Sequence, residues 1–558
     1  MEARKRLSAV VAGGALLLAA AACGGGGGTG NQPGESTQPS AGGGGDKAFV
    51  WALSAEPKAL DGAYVSDGES LRVVRQIFEG LVGTKPGATD VVPALATKWE
   101  STDATNWTFT LKQGVKFHDG TDFNAEAACW NFERWFNFKG AQQNPAVSYY
   151  WQTVFGGFAK NEDPEMTPSS YKGCKTEGAD KIVISLASPS ASFISALSLP
   201  SFSMVSPAAI QKSGDAVEMK GDAPEFTGKF ATEAPVGTGP YKFVSWARGD
   251  KLTLEAFDGY HGEKAKIKSL IFRAISDAPA RRQALESGEI DGFDQVEPAD
   301  VETLKGAGYT IQERPALNVG YIGFNQKLAP MDNPKIRQAI AHAINREALV
   351  KAKYPPGSTV ATQFMPPELA GYNEQVTTYP YDVNKAKQLI AESGVANPTV
   401  ELWYPTGVTR PYMPDPKANF EAFKADLEAA GFKVVVKSAR WTPEYIDAVD
   451  NGKAMIFMIG WNADFADADN FVGTFFQAPQ KRWSFDNKEI FGKLDEAERE
   501  TDPAKRTALY QEANKLIMDF LPGLPYVHNK SFVGLGKDIK GFLTDPLSNE
   551  NFSLVSRG

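Results

Sequence analysis

The sequence is poor in the residues on which metal and redox chemistry depends. It has 4 histidines and 3 cysteines in 558 residues. His118, His261, His342 and His528 are scattered, with no metal-ligand spacing among them, so neither a metal nor a cofactor is expected. There is no G-x-S-x-G, no H-E-x-x-H, no P-loop, and no G-x-G-x-x-G outside a glycine-rich stretch near the N-terminus. The hydrolases and nucleotide-binding enzymes built on those motifs are thereby excluded. Cations are also in deficit, 58 Lys and Arg against 67 Asp and Glu for a net charge of −9, which argues against nucleic acid, whose phosphates need clustered cations. Beyond residue 22 no apolar run reaches the roughly 20 residues of a membrane span. What is there, 42% hydrophobic and 22% charged residues, is the composition of a globular chain long enough for two or three domains.

The first 22 residues read as a targeting segment. "MEARKR" is a basic start, and "LSAVVAGGALLLAAAA" is an apolar core ending in small residues at Cys23. This resembles a bacterial lipoprotein signal, in which the cysteine is lipidated and becomes the mature N-terminus. It departs from that pattern at Ala20, where leucine is usual. The following "GGGGGTGNQPGESTQPSAGGGGD" (24–46) cannot bury a core and reads as a flexible tether, with a reach of roughly 25 Å. With Cys23 lipidated, Cys129 and Cys174 remain as a pair. Export permits a disulfide between them, the alternative being two free buried thiols.

Downstream, "AFVWAL" (48–53) predicts a first strand and the spacing of Leu71, Val74, Ile77, Phe78 and Leu81 a helix over 71–82. Asn124 is placed to cap the helix "AEAACWNFERWF", and 139–180, with little periodicity, is expected to form long loops. Strand–helix alternation follows twice. One run is "IKSLIFRAI", "DAPARRQALESG", "IDGFDQV". The other is "TVELWY", "ANFEAFKADLEAAG", "FKVVVKS", "TPEYIDAVDNG" and "AMIFMIG". Two such runs predict two α/β lobes, each with a largely parallel sheet. Open sheets of this kind bind ligands at the carboxyl ends of their strands. Asp464 lies just past the strand ending at Gly460, and Arg410 lies in "PTGVTRPYMPDP" (405–416), past the strand ending at Tyr404. If these strands share a sheet, an acid and a base emerge at one edge, an arrangement suited to a zwitterion.

The acidic stretch "GWNADFADADNF" (460–471) invites other readings. A calcium site from Asp464, Asp467 and Asp469 lacks the glycine and terminal glutamate of a calcium-binding loop. Nothing singles out a carboxylate pair for glycoside hydrolysis. A solvated acidic loop accounts for Asp467 and Asp469 but less well for Asp464, which is flanked by Trp461 and Phe465.

"VVPALATKWESTDATNWTFTLKQGVKFHDGTDFNAE" (91–126), "APVGTGPYKFVSW" (234–246), "YIGFNQKLAPMDNPKIRQAIAHAINREALV" (321–350) and "GWNADFADADNF" together resemble the family 5 extracellular solute-binding proteins, the peptide- and nickel-type binding components of ABC importers. The resemblance runs from about residue 48 to the C-terminus. It implies a two-lobed periplasmic-binding-protein-like fold of type II with an extra inserted domain and no enzymatic activity. The expected partition is signal 1–22, tether 23–46, first lobe 47–82, inserted domain 83–200, first lobe again 201–316, second lobe 317–525 and a first-lobe return 526–558. In the peptide-binding members, the aspartate of "GW-x-x-D" takes the α-ammonium and an arginine in "R-P-Y-x-P" takes the α-carboxylate. Asp464 and Arg410 match these, with Tyr412 beside the arginine and Trp461 and Asn462 within the first motif. Ser66, Asp67 and Gly68 resemble a pocket-lining loop. The family's "DYPDP" reads "DFADAD" here, which alters the loop's shape. The implied protein is a monomer on the extracytoplasmic face of the cell membrane, held by its lipid anchor. It would carry short peptides to a permease and, indirectly, its ATPase subunits. The alternatives are an oligosaccharide, nickel or haem ligand within the family or, outside it, an exported hydrolase.

Overall fold

The computed structural model describes residues 47–221 and 223–558, with no account of the side chains of Thr442 and Pro443. The leader, Cys23 and the tether lie outside the described residues. No helix among the described residues is long and apolar enough to cross a membrane.

Two sheets organise the chain. The first has seven strands in the order Tyr241–Ala247, Lys251–Ala256, Ser269–Ala274, Phe49–Leu53, Gly292–Asp294, Ser531–Leu535, Thr310–Arg314. The second has five, in the order Lys433–Arg440, Thr399–Thr406, Ile456–Asn462, Asn318–Phe324, Gly523–Val527. Both are mixed, which corrects the largely parallel sheets expected from the alternation. In the first, only Phe49–Leu53 pairs in parallel with its neighbours, and the other pairings are antiparallel. The physical reason lies in the connections, since a tight turn such as the one between Ala247 and Lys251 allows only antiparallel pairing. Ser531–Leu535 likewise returns from the second sheet and enters the first against the direction of both its neighbours. In the second sheet the three strands around Thr399–Thr406 are parallel and the remaining two pairings antiparallel.

The chain crosses between the sheets twice, after Arg314 and after Val527. The crossings are tied to each other: Asn318 Nδ2 donates to the Asn529 carbonyl at 2.8 Å, and Asn529 N donates to Asn318 Oδ1 at 3.0 Å. His528 Nδ1 lies 2.7 Å from the Asn318 carbonyl. Burial pushes this imidazole down to about 4, so it stays neutral at the crossing.

A smaller four-stranded antiparallel sheet (96–100, 106–111, 181–186, 171–176) packs with helix α2 (Ala125–Phe136), capped by Asn124. Cys129 on α2 and Cys174 on the Tyr171–Thr176 strand form the expected disulfide, Cα–Cα 5.3 Å across 45 residues of sequence. Closing a loop of that size restrains the unfolded chain by about 4 kcal/mol in the chain-entropy account.

Two local expectations are corrected. Helix α1 spans Gly68–Ile77 rather than 71–82: Asp67 caps its start, and Phe78 turns extended at its end. The last turn is stopped by a tertiary partner, since Gly239 N donates to the Ile77 carbonyl at 2.9 Å. The neighbouring Gly237 packs so close that a Cβ there would lie 2.3 Å from the Ile77 oxygen. The second correction is in 139–180, expected as loops, which contains helix α3 (Pro145–Phe155). Asn144 caps α3 and Pro145 occupies its first turn, a legible start signal. Its buried Val147, Tyr150, Trp151 and Phe155 recur at i, i+3, i+4 and i+8, with Thr153 exposed between them, a helical period that the sequence does carry.

The apolar interior divides with the sheets. One cluster joins the first sheet to the four-stranded sheet and α2, a second fills the other lobe, and a third, smaller one gathers Ala52, Leu285, Phe293 and Leu304. Phe465 belongs in sequence to the second lobe, yet it is buried in the first cluster, and Leu547 of the C-terminal segment is buried in the second.

Candidate functional site

The site grows from two neighbouring parallel strands. Thr399–Thr406 and Ile456–Asn462 pair with Leu402 opposite Ile456 and Trp403 opposite Phe457, so their carboxyl ends leave the sheet at the same edge. Arg410 follows the first strand and Asp464 the second. The Arg410 turn is closed by backbone bonds between Arg410 and Met413. It is clamped to the other strand by Tyr412, whose ring lies where a Cβ on residue 460 would be, 2.4 Å away; only glycine fits at Gly460. Tyr412 is therefore buried in the second core, and burial raises its hydroxyl above the usual range. Its ring holds the turn together.

Arg410 stacks its guanidinium on Trp441, 4.5 Å from the ring centroid, where a π-helical turn follows the Lys433–Arg440 strand. Among the described residues no carboxylate lies within ion-pair distance of it, and its buried Nε has no hydrogen-bond partner. It borders a narrow cavity of about 40 Å³ shared with Gln295, Asn529 and Lys530, which draws on residues of both lobes.

Asp464 is held by neutral donors. Tyr150 Oη donates to Oδ1 at 2.6 Å and Asn470 Nδ2 to Oδ2 at 3.2 Å. Asn470 is itself oriented, its Oδ1 accepting from Asp464 N at 2.8 Å and Trp461 Nε1 at 3.2 Å. With no cation beside it among the described residues, burial pushes the Asp464 carboxyl up to about 6, against the two hydrogen bonds that favour the charged form. The other two acids of the loop point elsewhere. Asp467 takes a bidentate pair from Arg506 at 2.8 and 2.7 Å, and also accepts from Asp469 N. Asp469, beside the Tyr510 hydroxyl, is pushed up to about 8 by burial and then by the charges of Glu498 and Asp467. The alternative of a solvated acidic loop does not describe these two acids; they are partly buried and pin the loop to the helix Pro503–Phe520.

The remaining candidates scatter. Trp461 packs edge-on against Phe475 with ring centroids 5.5 Å apart, and Asn462 ends its strand opposite Asn318. Asp67 spends both oxygens capping α1, on Ser70 N at 2.9 Å and Ser70 Oγ at 2.8 Å, while Ser66 and Gly68 are exposed. Asp67 is still near enough to Tyr150 to raise its hydroxyl electrostatically, although burial and Asp464 contribute more. Three residues were missed by sequence reasoning: Tyr150, Asn470 and Trp441. The cap signature Asn144–Pro145 could have located the helix that carries Tyr150, but not its partner 314 residues away.

Comparison with known proteins gives a consistent picture. The model of a family described as bacterial extracellular solute-binding proteins, family 5, matches residues 90–483. The dipeptide-binding protein of Escherichia coli is 31% identical, the match covering 91% of this chain and 94% of the relative. Heme-binding protein A of Haemophilus influenzae is 30% identical over 93% and 94%. Among solved structures, a periplasmic binding protein associated with an ABC transporter of Helicobacter pylori, in complex with the peptide STSA, is similar with a TM-score of 0.76 at 26% identity, covering 92% of this chain and 98% of that one.

Proposed function

The chain belongs to the family 5 bacterial extracellular solute-binding proteins, which bind rather than turn over their ligands, and from that premise we propose that it captures short peptides for a membrane permease. Asp464 receives the peptide's α-ammonium and Arg410 its α-carboxylate. The observation that carries this reading is the pair of charges left uncompensated among the described residues: a half-buried acid without a cation and a base without an acid, at the same edge of two parallel strands. A peptide's termini are its only charges independent of side chain, so a receptor for varied peptides places its fixed charges there. Two relatives named for dipeptide or peptide ligands support the same class. With the ends clamped and each residue spanning at most ~3.6 Å, the separation of the two clamps limits the length of the ligand. The protein is delivered outside the cytoplasm and anchored through Cys23 by its tether, so Cys23→Ala should move it from membranes to the medium.

Calorimetry with one dipeptide in four forms (free, N-acetylated, C-amidated and doubly blocked) tests the clamp. Each block should weaken binding by roughly 30-fold or more. Equal affinity for free and acetylated peptide would remove Asp464 as the ammonium receptor. A haem titration serves as the second arm, because one relative is named for haem. The four histidines are engaged elsewhere, His118 with the Gly239 carbonyl, His261 with Glu79, His342 with the Pro380 carbonyl and His528 with the Asn318 carbonyl.

A further inference from the structure

Resting on the peptide reading above, we infer that Gln295 of the first lobe is a second receptor for the ligand's α-carboxylate, its amide donating across the cleft to the group seated on Arg410. Gln295 follows the strand Gly292–Asp294, whose last residue stands opposite Val533. Val296 N then donates to the Phe532 carbonyl at 3.0 Å, so this strand advances two residues while its antiparallel partner advances one. Gln295 is the extra residue of that bulge, with a φ of 58° in the left-handed region. Glycine is the ordinary occupant of such a position, since a Cβ there crowds the following carbonyl. A side chain kept where glycine fits better points to a use for it, and bulges re-aim side chains beside binding sites.

That side chain has no partner within the chain. Among the described residues the Gln295 amide makes no hydrogen bond: its Oε1 is enclosed, while its Nε2 retains accessible surface. Arg410 is in the same condition on the second lobe. Its Nε is enclosed, whereas the two terminal nitrogens of its fork retain surface and have no acceptor. The donors left open are thus the ones that can reach a ligand.

Gln295 and Arg410 border the same cavity of about 40 Å³ between the lobes. That is on the order of one or two waters, space for a carboxylate group and not for a bulky side chain. Two other charged residues border it. Lys530 is paired with Glu313 at 2.5 Å, and Glu297 is exposed and outside ion-pair distance of Arg410. Arg410 is therefore the unpaired cation of this cavity among the described residues. A carboxylate seated on its fork keeps lone pairs that need further donors. Gln295 supplies one without adding charge, so the carboxylate is held from both lobes.

Calorimetry on the full chain with alanyl-alanine and its C-terminal amide tests the inference. Gln295→Gly suits the left-handed backbone, so its Tm should equal or exceed that of wild type. Its affinity for the free dipeptide should nevertheless fall about tenfold or more, and much less for the amide. Gln295→Glu sets a like charge against the carboxylate. It should weaken the free dipeptide further and lose most of the preference for free acid over amide. If amidation weakens wild type and both variants to the same extent, the peptide reading stands and Gln295 is only a residue of the bulge. If wild type binds the two forms equally, or binds neither, the reading and this inference fall together. Should Gln295→Glu not fold, Gln295→Gly alone gives the decision.

Discussion

Two sets of buried charges in this molecule obey opposite rules. In the first lobe, Arg72 reaches Asp294 at 2.5 Å and Glu550 at 3.0 Å, and Arg314 closes the ring by bonding both acids. Burial alone would raise Asp294, yet the two arginines hold it below the usual carboxylate range. Asp464 is half-buried, but only a phenol and an amide reach it, and its carboxyl rises instead. On the reading proposed above, the difference separates charges that complete the fold from a charge kept for a ligand. The first kind is neutralised within the chain, and the second is left needing a partner of opposite sign.

The largest effect should come from breaking the closed network. Arg72→Met strands part of the charge on Asp294 and Glu550, and stability by urea unfolding should drop by about 3–5 kcal/mol. Asp464→Asn, by contrast, removes a buried charge without a counter-ion and should leave stability unchanged or slightly higher. Equal destabilisation by the two would make Asp464 a structural acid and dissolve the contrast.

Binding should reverse the order. Asp464→Ala should cost about 2–5 kcal/mol of peptide affinity, and Arg410→Ala a similar amount. In a double cycle by calorimetry, Asp464→Ala should lose little more on N-acetylation and Arg410→Ala little more on C-amidation. If the losses simply add, the assignment of ends is wrong.

The pH dependence sharpens the comparison further. The free Asp464 carboxyl titrates at about 6, and a bound ammonium favours its charged form, lowering its pKa in the complex. Affinity should therefore be level above pH 6 until the peptide's amine, near 8, loses its proton. It should fall by up to about tenfold per unit below pH 6, with protons released on binding. Calorimetry in buffers of different ionisation heat reads both. A flat profile between pH 7 and 5 would mean that Asp464 does not meet the charge.

The smallest effect concerns Tyr150, which brings the inserted segment to the second lobe's acid. Tyr150→Phe removes one hydrogen bond to a carboxylate. It should weaken peptide binding by about 1–2 kcal/mol, and shift the acid limb of the pH profile upward. A mutant with unchanged affinity and profile would reduce that contact to packing.

Much of this architecture was legible in the chain itself. Periodicity located the strands on either side of Arg410 and Asp464, because a side chain's alternation or helical spacing is a local property. The glycine of "GW" and the caps at Asn124 and Asn144 have local sequence signals too. Folding decided the rest through partners far apart in sequence. Thr399–Thr406 and Ile456–Asn462 became neighbours only by sheet pairing. α1 stopped at Ile77 because Gly239 took its carbonyl. Of three acids spaced within six residues, Asp467 met Arg506 from 39 residues away and Asp464 met Tyr150 from 314. All three carboxylates are chemically alike in the sequence. Which of them met a cation within the chain depended on where the distant donors came to rest, since a Coulomb or hydrogen-bond energy depends on distance in space and not on separation along the chain.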